Sequence, residues 1–215
     1  MFHNLTPKDL QNEEKFILLE KVNYMQFKPF ILKSLRNKST LLTIYGIIQL
    51  ITLVIATVIL ISLIIQSVKT GTIIQTLKWY LLSIGCSFTL LIPVHELLHA
   101  LAFWVLGKKD IGFGAQLKQF IFYAEANCQV LDKSEMTIVA FTPLIVIELL
   151  ASIFITFIHT SPLFYFGLGI FLIHFLFCAG DIAIVAFFHH KDGIYSYDDR
   201  MEKCSYFYKK REHQY

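Results

Sequence analysis

No Cys-x-x-Cys pair occurs in this 215-residue chain, and its four cysteines, Cys86, Cys128, Cys178 and Cys204, are widely spaced. That spacing supports neither a disulfide framework nor a thiolate zinc site. Charge is also scarce. Asp, Glu, Lys and Arg make up 16% of the residues, against roughly 25% in average soluble usage. A formal net charge of +3 is too small to imply a nucleic-acid partner. No internal repeat or low-complexity segment is visible. The N-terminus is polar through Ser39 and lacks the short apolar core of a cleavable signal peptide.

Apolar residues are abundant instead: 55% of the chain, with 20 Phe and long Leu/Ile runs. A bilayer core of about 30 Å takes about 20 apolar residues in a helix. Four stretches reach that length, about 41–66, 79–106, 136–158 and 163–188. Glu148 is the only charge of the third and Asp181 the only charge of the fourth. The fold class expected is an all-α membrane protein with four transmembrane helices. It divides into an N-terminal segment 1–40, a membrane domain 41–188 and a tail 189–215.

Lysine and arginine placement sets the orientation. Seventeen of them lie before the first span, in segment 107–135 and after Phe188, whereas the link between the first two spans holds only Lys69 and Lys78. The link Thr160–Ser161–Pro162 holds none. Both termini and the middle loop are therefore expected in the cytoplasm.

The second span carries His95-Glu96-Leu97-Leu98-His99. A helix places residues four apart on one face. Two imidazoles so placed can bind one zinc ion, with the intervening Glu as general base. Such a match arises by chance in roughly one sequence in a hundred of this composition. Its position in a span weakens the chance reading further, because an acidic group in lipid costs roughly 2.5–3.5 kcal/mol on insertion scales. The competing reading is a polar cluster that only packs helices.

Asp181 is the leading candidate for a third ligand, on grounds of depth. Both His99 and Asp181 lie about 12 Å below the same membrane face at 1.5 Å per residue. Glu148 and His174 compete. His174 shares a face with Asp181 but sits about 10 Å deeper on a straight helix. A Glu148–His174 pair, or a hydrogen bond from either to a ligand, is the expectation for these two. His189 and His190 lie at the membrane edge, and His3, His159 and His213 lie outside the apolar runs; none of these receives a role.

His95-Glu96-Leu97-Leu98-His99-Ala100, followed by a loop and then by Ala179-Gly180-Asp181-Ile182 in the last span, resembles the bacterial putative zincin peptidase family. That family is in turn similar in layout to the site-2 proteases. The resemblance covers roughly Trp79 to the tail. It implies a multi-pass protein of the bacterial cell membrane, Zn2+ on His95, His99 and Asp181, Glu96 as catalytic acid/base, and a peptide or membrane-protein substrate.

Segment 107–135 begins with helix-breaking Gly112 and Gly114. Gln119–Tyr123 and Asn127–Leu131 are short enough for the strands of a hairpin, joined near Ala124–Glu125–Ala126. Such a hairpin offers an edge to an extended peptide; the alternative is a loop that only seals the surface. Thr6-Pro7 is a helix start. Phe16, Leu19, Tyr24 and Phe27 are expected to lie on lipid between lysines. Two functions remain: a zinc metalloprotease, and a non-catalytic membrane protein such as a transport accessory or binding partner. Glu96 favours the enzyme, since a structural zinc site has no use for a base.

Overall fold

Thr6 opens the first helix. Its hydroxyl accepts from the Asp9 amide, and the Asp9 carboxylate accepts from the Thr6 amide at 2.7 Å, a reciprocal cap with Pro7 in the first turn. From there the computed structural model runs α1 (Pro7–Leu10), β1 (Phe16–Asn23), α2 (Phe27–Arg36), α3 (Thr40–Thr70) and α4 (Ile73–Cys86). A π-helical turn, Ser87–Leu91, joins α4 to α5 (Ile92–Val105). Then follow β2 (Ile111–Gln116), β3 (Ile121–Ala126), β4 (Leu131–Asp132), α6 (Lys133–Phe157), α7 (Leu163–Phe177), α8 (Ala179–His190), β5 (Ile194–Asp199) and β6 (Cys204–Lys210). The structure describes residues 5–36, 39–159, 161, 163–190 and 192–211. His3, His213, Thr160 and Pro162 lie outside the described residues.

Four helices are long and apolar enough to cross a membrane: Thr40–Thr70, Ile73–Val105, Lys133–Phe157 and Leu163–His190. The second begins at Ile73, earlier than Trp79, because Lys78 is accommodated within the helix.

The chain divides into two compact units. The first comprises Met1–Ser39, Glu96–Thr142 and Gly180–Tyr215. It holds an antiparallel four-stranded sheet of order β1-β6-β5-β4 and the separate β2-β3 hairpin. Phe16, Tyr197, Tyr206 and Tyr208 are buried in one cluster of this unit. Phe30, Phe188, Ile194 and Phe207 are buried in another. Asp132 caps α6 by accepting from the Glu135 amide at 2.8 Å, and Glu135 pairs with Lys108 at 2.7 Å.

The second unit, Thr40–His95 and Pro143–Ala179, is helical. Its helices are joined by small polar side chains, as is usual where apolar surface gives no net drive to associate in lipid. The Ser67 hydroxyl lies 2.8 Å from that of Thr76 and 3.3 Å from that of Tyr165. The Tyr45 hydroxyl donates to the Phe175 carbonyl. Ile48, Leu50, Ile51, Val54, Ile55 and Val58 of α3 point outward.

The fold is thus mostly helical rather than all-α, and the sheet is the correction. Phe16 and Tyr24 do not lie outward between lysines; both are buried. β1 pairs with β6, nearly 190 residues later, and such a pairing leaves no local signature in a segment reading Phe-Ile-Leu-Leu-Glu-Lys-Val-Asn. The hairpin exists but sits earlier than Gln119–Leu131. Gly112 and Gly114 are inside β2, not before the strands. Their lack of a side chain is what admits the neighbours. A Cβ on Gly112 would meet the Arg200 guanidinium, and one on Gly114 the Tyr123 ring.

Candidate metal centre

Pro93 lies two residues past the π-helical turn. A proline clashes with the carbonyl four residues before it and cannot bond to it. The widened turn at Ser87–Leu91 contains that residue, Thr89, and absorbs the conflict. Ser87 donates to the Ser83 carbonyl at 2.8 Å and Thr89 to the Gly85 carbonyl at 2.8 Å. Regular α-helix resumes before the motif. His95, His99, Ala102 and Phe103 form the buried stripe of α5, and Leu97, Leu101 and Trp104 the exposed one. The His-x-x-x-His spacing therefore places both imidazoles inward, one turn apart.

In the first unit, His99 Nδ1 lies 2.9 Å from the Val139 carbonyl oxygen. A carbonyl only accepts, so Nδ1 carries the proton and Nε2 the lone pair. Val139 is available because of Pro143: four residues on, the helical donor that would occupy this carbonyl is missing. His99 Nε2 faces Asp181 Oδ1 at 3.5 Å. That is long for a hydrogen bond and close to the ~3.4 Å separating two ligand atoms of one tetrahedral zinc. Asp181 stands in the first turn of α8, where the amide dipoles favour a negative charge.

His99, Glu96 and Asp181 line a cavity of about 150 Å³ in this unit. The opposite wall comes from β3 (Phe122–Glu125) and from the tail strands, including Asp198 and Phe207. The His99 imidazole and the Asp181 carboxylate are donors suited to zinc, and the lone-pair orientation of His99 fits that use.

Residues 88–192 match the family described as "Putative zincin peptidase". The matched segment runs from the π-helical turn to the end of α8, and so includes α5, the hairpin and Asp181. β1, β5 and β6 lie outside it. No curated protein and no solved structure matches the chain.

The remaining anticipated residues of the matched segment lie in the second unit. His174 Nδ1 is 2.7 Å from Glu148 Oε1, and His174 Nε2 is 3.0 Å from His95 Nδ1. Cys178, four residues after His174, brings its sulfur within 3.6 Å of the same Nε2. The ligand atoms of His95, His174 and Cys178 lie within 4.8 Å of one another and can hold a metal as a group. Cys178 reads in the sequence as a small core residue. Its signal is the spacing of four to His174, one helical turn, and the Cys178 amide does donate to the His174 carbonyl at 3.2 Å.

Sequence reasoning also missed the tail's share of the cavity. Glu125 is buried, accepting from the Tyr24 hydroxyl and from Arg200 Nε at 2.5 Å. Burial, with Asp198 and Glu125 nearby, raises the Tyr24 hydroxyl far above its usual range. Asp198 accepts from the Ser205 hydroxyl. Burial pushes its pKa up to about 6, partly offset by that bond. A carboxyl raised in the folded state binds its proton more tightly there than when unfolded. Its contribution to stability is present below about pH 4 and is lost as pH rises through about 6. Asp198→Asn, which cannot ionise, is therefore expected to gain stability relative to the native protein as pH rises from 4 to 7. Thermal unfolding of both proteins across that range checks it; a constant difference overturns it.

Proposed function

We propose that the protein is a membrane-embedded zinc metallopeptidase that hydrolyses a peptide bond near the cytoplasmic membrane face. His95, His99 and Asp181 hold the zinc, and Glu96 is the acid/base. The observation that carries this reading is the pairing of His99 Nε2 with Asp181 at 3.5 Å in a cavity that Glu96 also lines. Support comes from the zincin family match and from the outward apolar faces of the four long helices.

When bound, zinc polarises a substrate carbonyl and acidifies a water. The rest is done by the chain. Val139 keeps His99 in the tautomer that offers Nε2. Glu96 accepts the proton of the attacking water and returns it to the departing amine. Among the described residues the strand β3 pairs in register only with β2, and Asn127 just beyond it bridges Asp198 of β5; the stretch Phe122–Glu125 that lines the cavity suits an extended peptide segment. The wall of Phe103, Phe122, Met136, Val139 and Ile184 suits an apolar one.

Zinc analysis of the purified protein together with peptide cleavage tests the reading. Zinc without any hydrolysis would favour the non-catalytic alternative. The orientation has its own test, because Cys128 follows β3 and is exposed. A membrane-impermeant maleimide is expected to label Cys128 and an introduced Lys118→Cys only after cells are permeabilised. Labelling of intact cells would reverse the topology. Burial and nearby acids push the Cys128 thiol up, so the reaction is best run at mildly alkaline pH.

A further inference from the structure

The second unit contains a chain of three polar side chains, half-buried Glu148 on α6 and the buried His174 on α7 and His95 on α5. His174 has no exposure at all. Fully buried polar groups cost stability unless their hydrogen bonds are complete, so a purely structural contact at this place would be served as well by apolar residues. The chain also has a direction. With Glu148 ionised, its carboxylate accepts and His174 Nδ1 carries the proton. A neutral His174 then offers its Nε2 lone pair, and the group 3.0 Å from it, His95 Nδ1, must donate. A neutral His95 then carries its lone pair on Nε2, the same nitrogen that carries it in a neutral His99 with Nδ1 donating to the Val139 carbonyl.

We infer that His174 and Glu148 are positioning residues that fix the ring and tautomer of His95 for metal binding through Nε2. The inference rests on the zinc reading above. It assigns this carboxylate and this imidazole, both within the helical unit, a role in metal affinity rather than in helix packing alone. Outer partners of this kind orient the ligand and raise its basicity, and their loss typically lowers metal affinity about 10–100-fold.

The test uses the full-length protein purified in detergent. Zinc affinity is measured by competition with a chromophoric chelator, and the visible spectrum is recorded after loading with Co2+. His174→Leu is expected to bind zinc about 10–100-fold more weakly and to shift the cobalt bands. His174→Gln keeps an acceptor near the position of Nε2. It is expected to restore most of the affinity and the native spectrum, which a residue that merely fills space would not do. Native affinity and spectrum in His174→Leu, or a His174→Gln variant as weak as His174→Leu, would overturn the inference. If His174→Leu does not fold, Glu148→Leu replaces it: about a ten-fold loss is expected, and unchanged affinity overturns the role. Failure of the underlying reading looks different. There, His99→Ala and Asp181→Ala would keep zinc while Cys178→Ala lost it, putting the ion on the His95, His174 and Cys178 group and removing both claims together.

Discussion

Glu96→Gln is expected to lower peptide hydrolysis about 10²–10⁴-fold, the usual contribution of a positioned proton-transfer group, while the zinc content stays that of the native protein. Glu96 lies between the two histidines in α5 and lines the cavity beside His99 and Asp181. The substitution keeps the length of the side chain and its capacity for hydrogen bonding. It removes only the basic carboxylate. Since Glu96 is not among the proposed ligands, insertion, folding and metal affinity should persist. Membrane proteomes of strains carrying each form, read beside the zinc content of each purified protein, separate the two effects. In the variant strain an uncut substrate is expected to accumulate. Identical peptide profiles with full biological activity would sink the peptidase reading.

The second large effect is on metal content. The native protein is expected to carry about one zinc per chain. His95→Ala, His99→Ala and Asp181→Ala should each lose it, with a fall exceeding the 10–100-fold typical of outer partners. Asp181→Ala is the most informative of the three, because the acid is assigned by its place opposite His99 Nε2. Elemental analysis of the purified variants measures the result. Full zinc in Asp181→Ala together with loss in Glu148→Ala would mean that the third ligand has been misassigned.

The motif and the long apolar runs were legible because each is local. Helical period and hydropathy are properties of neighbouring residues, so His95, Glu96 and His99 could be read as one helix segment. The tail's role was not legible. Asp198 and Phe207 reach the cavity wall only through the β5-β6 pairing and the docking of β1 on β6, and these join segments that are distant in sequence. The glycines of β2 misled for a related reason. Without their neighbours they read as helix breakers, whereas their meaning lies in Arg200 and Tyr123. The depth estimate for His174 assumed one straight helix. In the structure α7 ends at Phe177 and α8 starts at Ala179, a one-residue interruption that an unbroken apolar run does not reveal.

The widened turn at Ser87–Leu91 stores one residue more than a regular helix would. Each residue of an α-helix advances the face by roughly 100°, so deleting any single residue between Ser87 and Leu91 would let the helix close while the motif kept its bearing on α4. What would return is the clash of Pro93 with the carbonyl four residues before it. Deleting Val94 instead, beyond that slack, would swing the motif by about 100° with every motif residue retained.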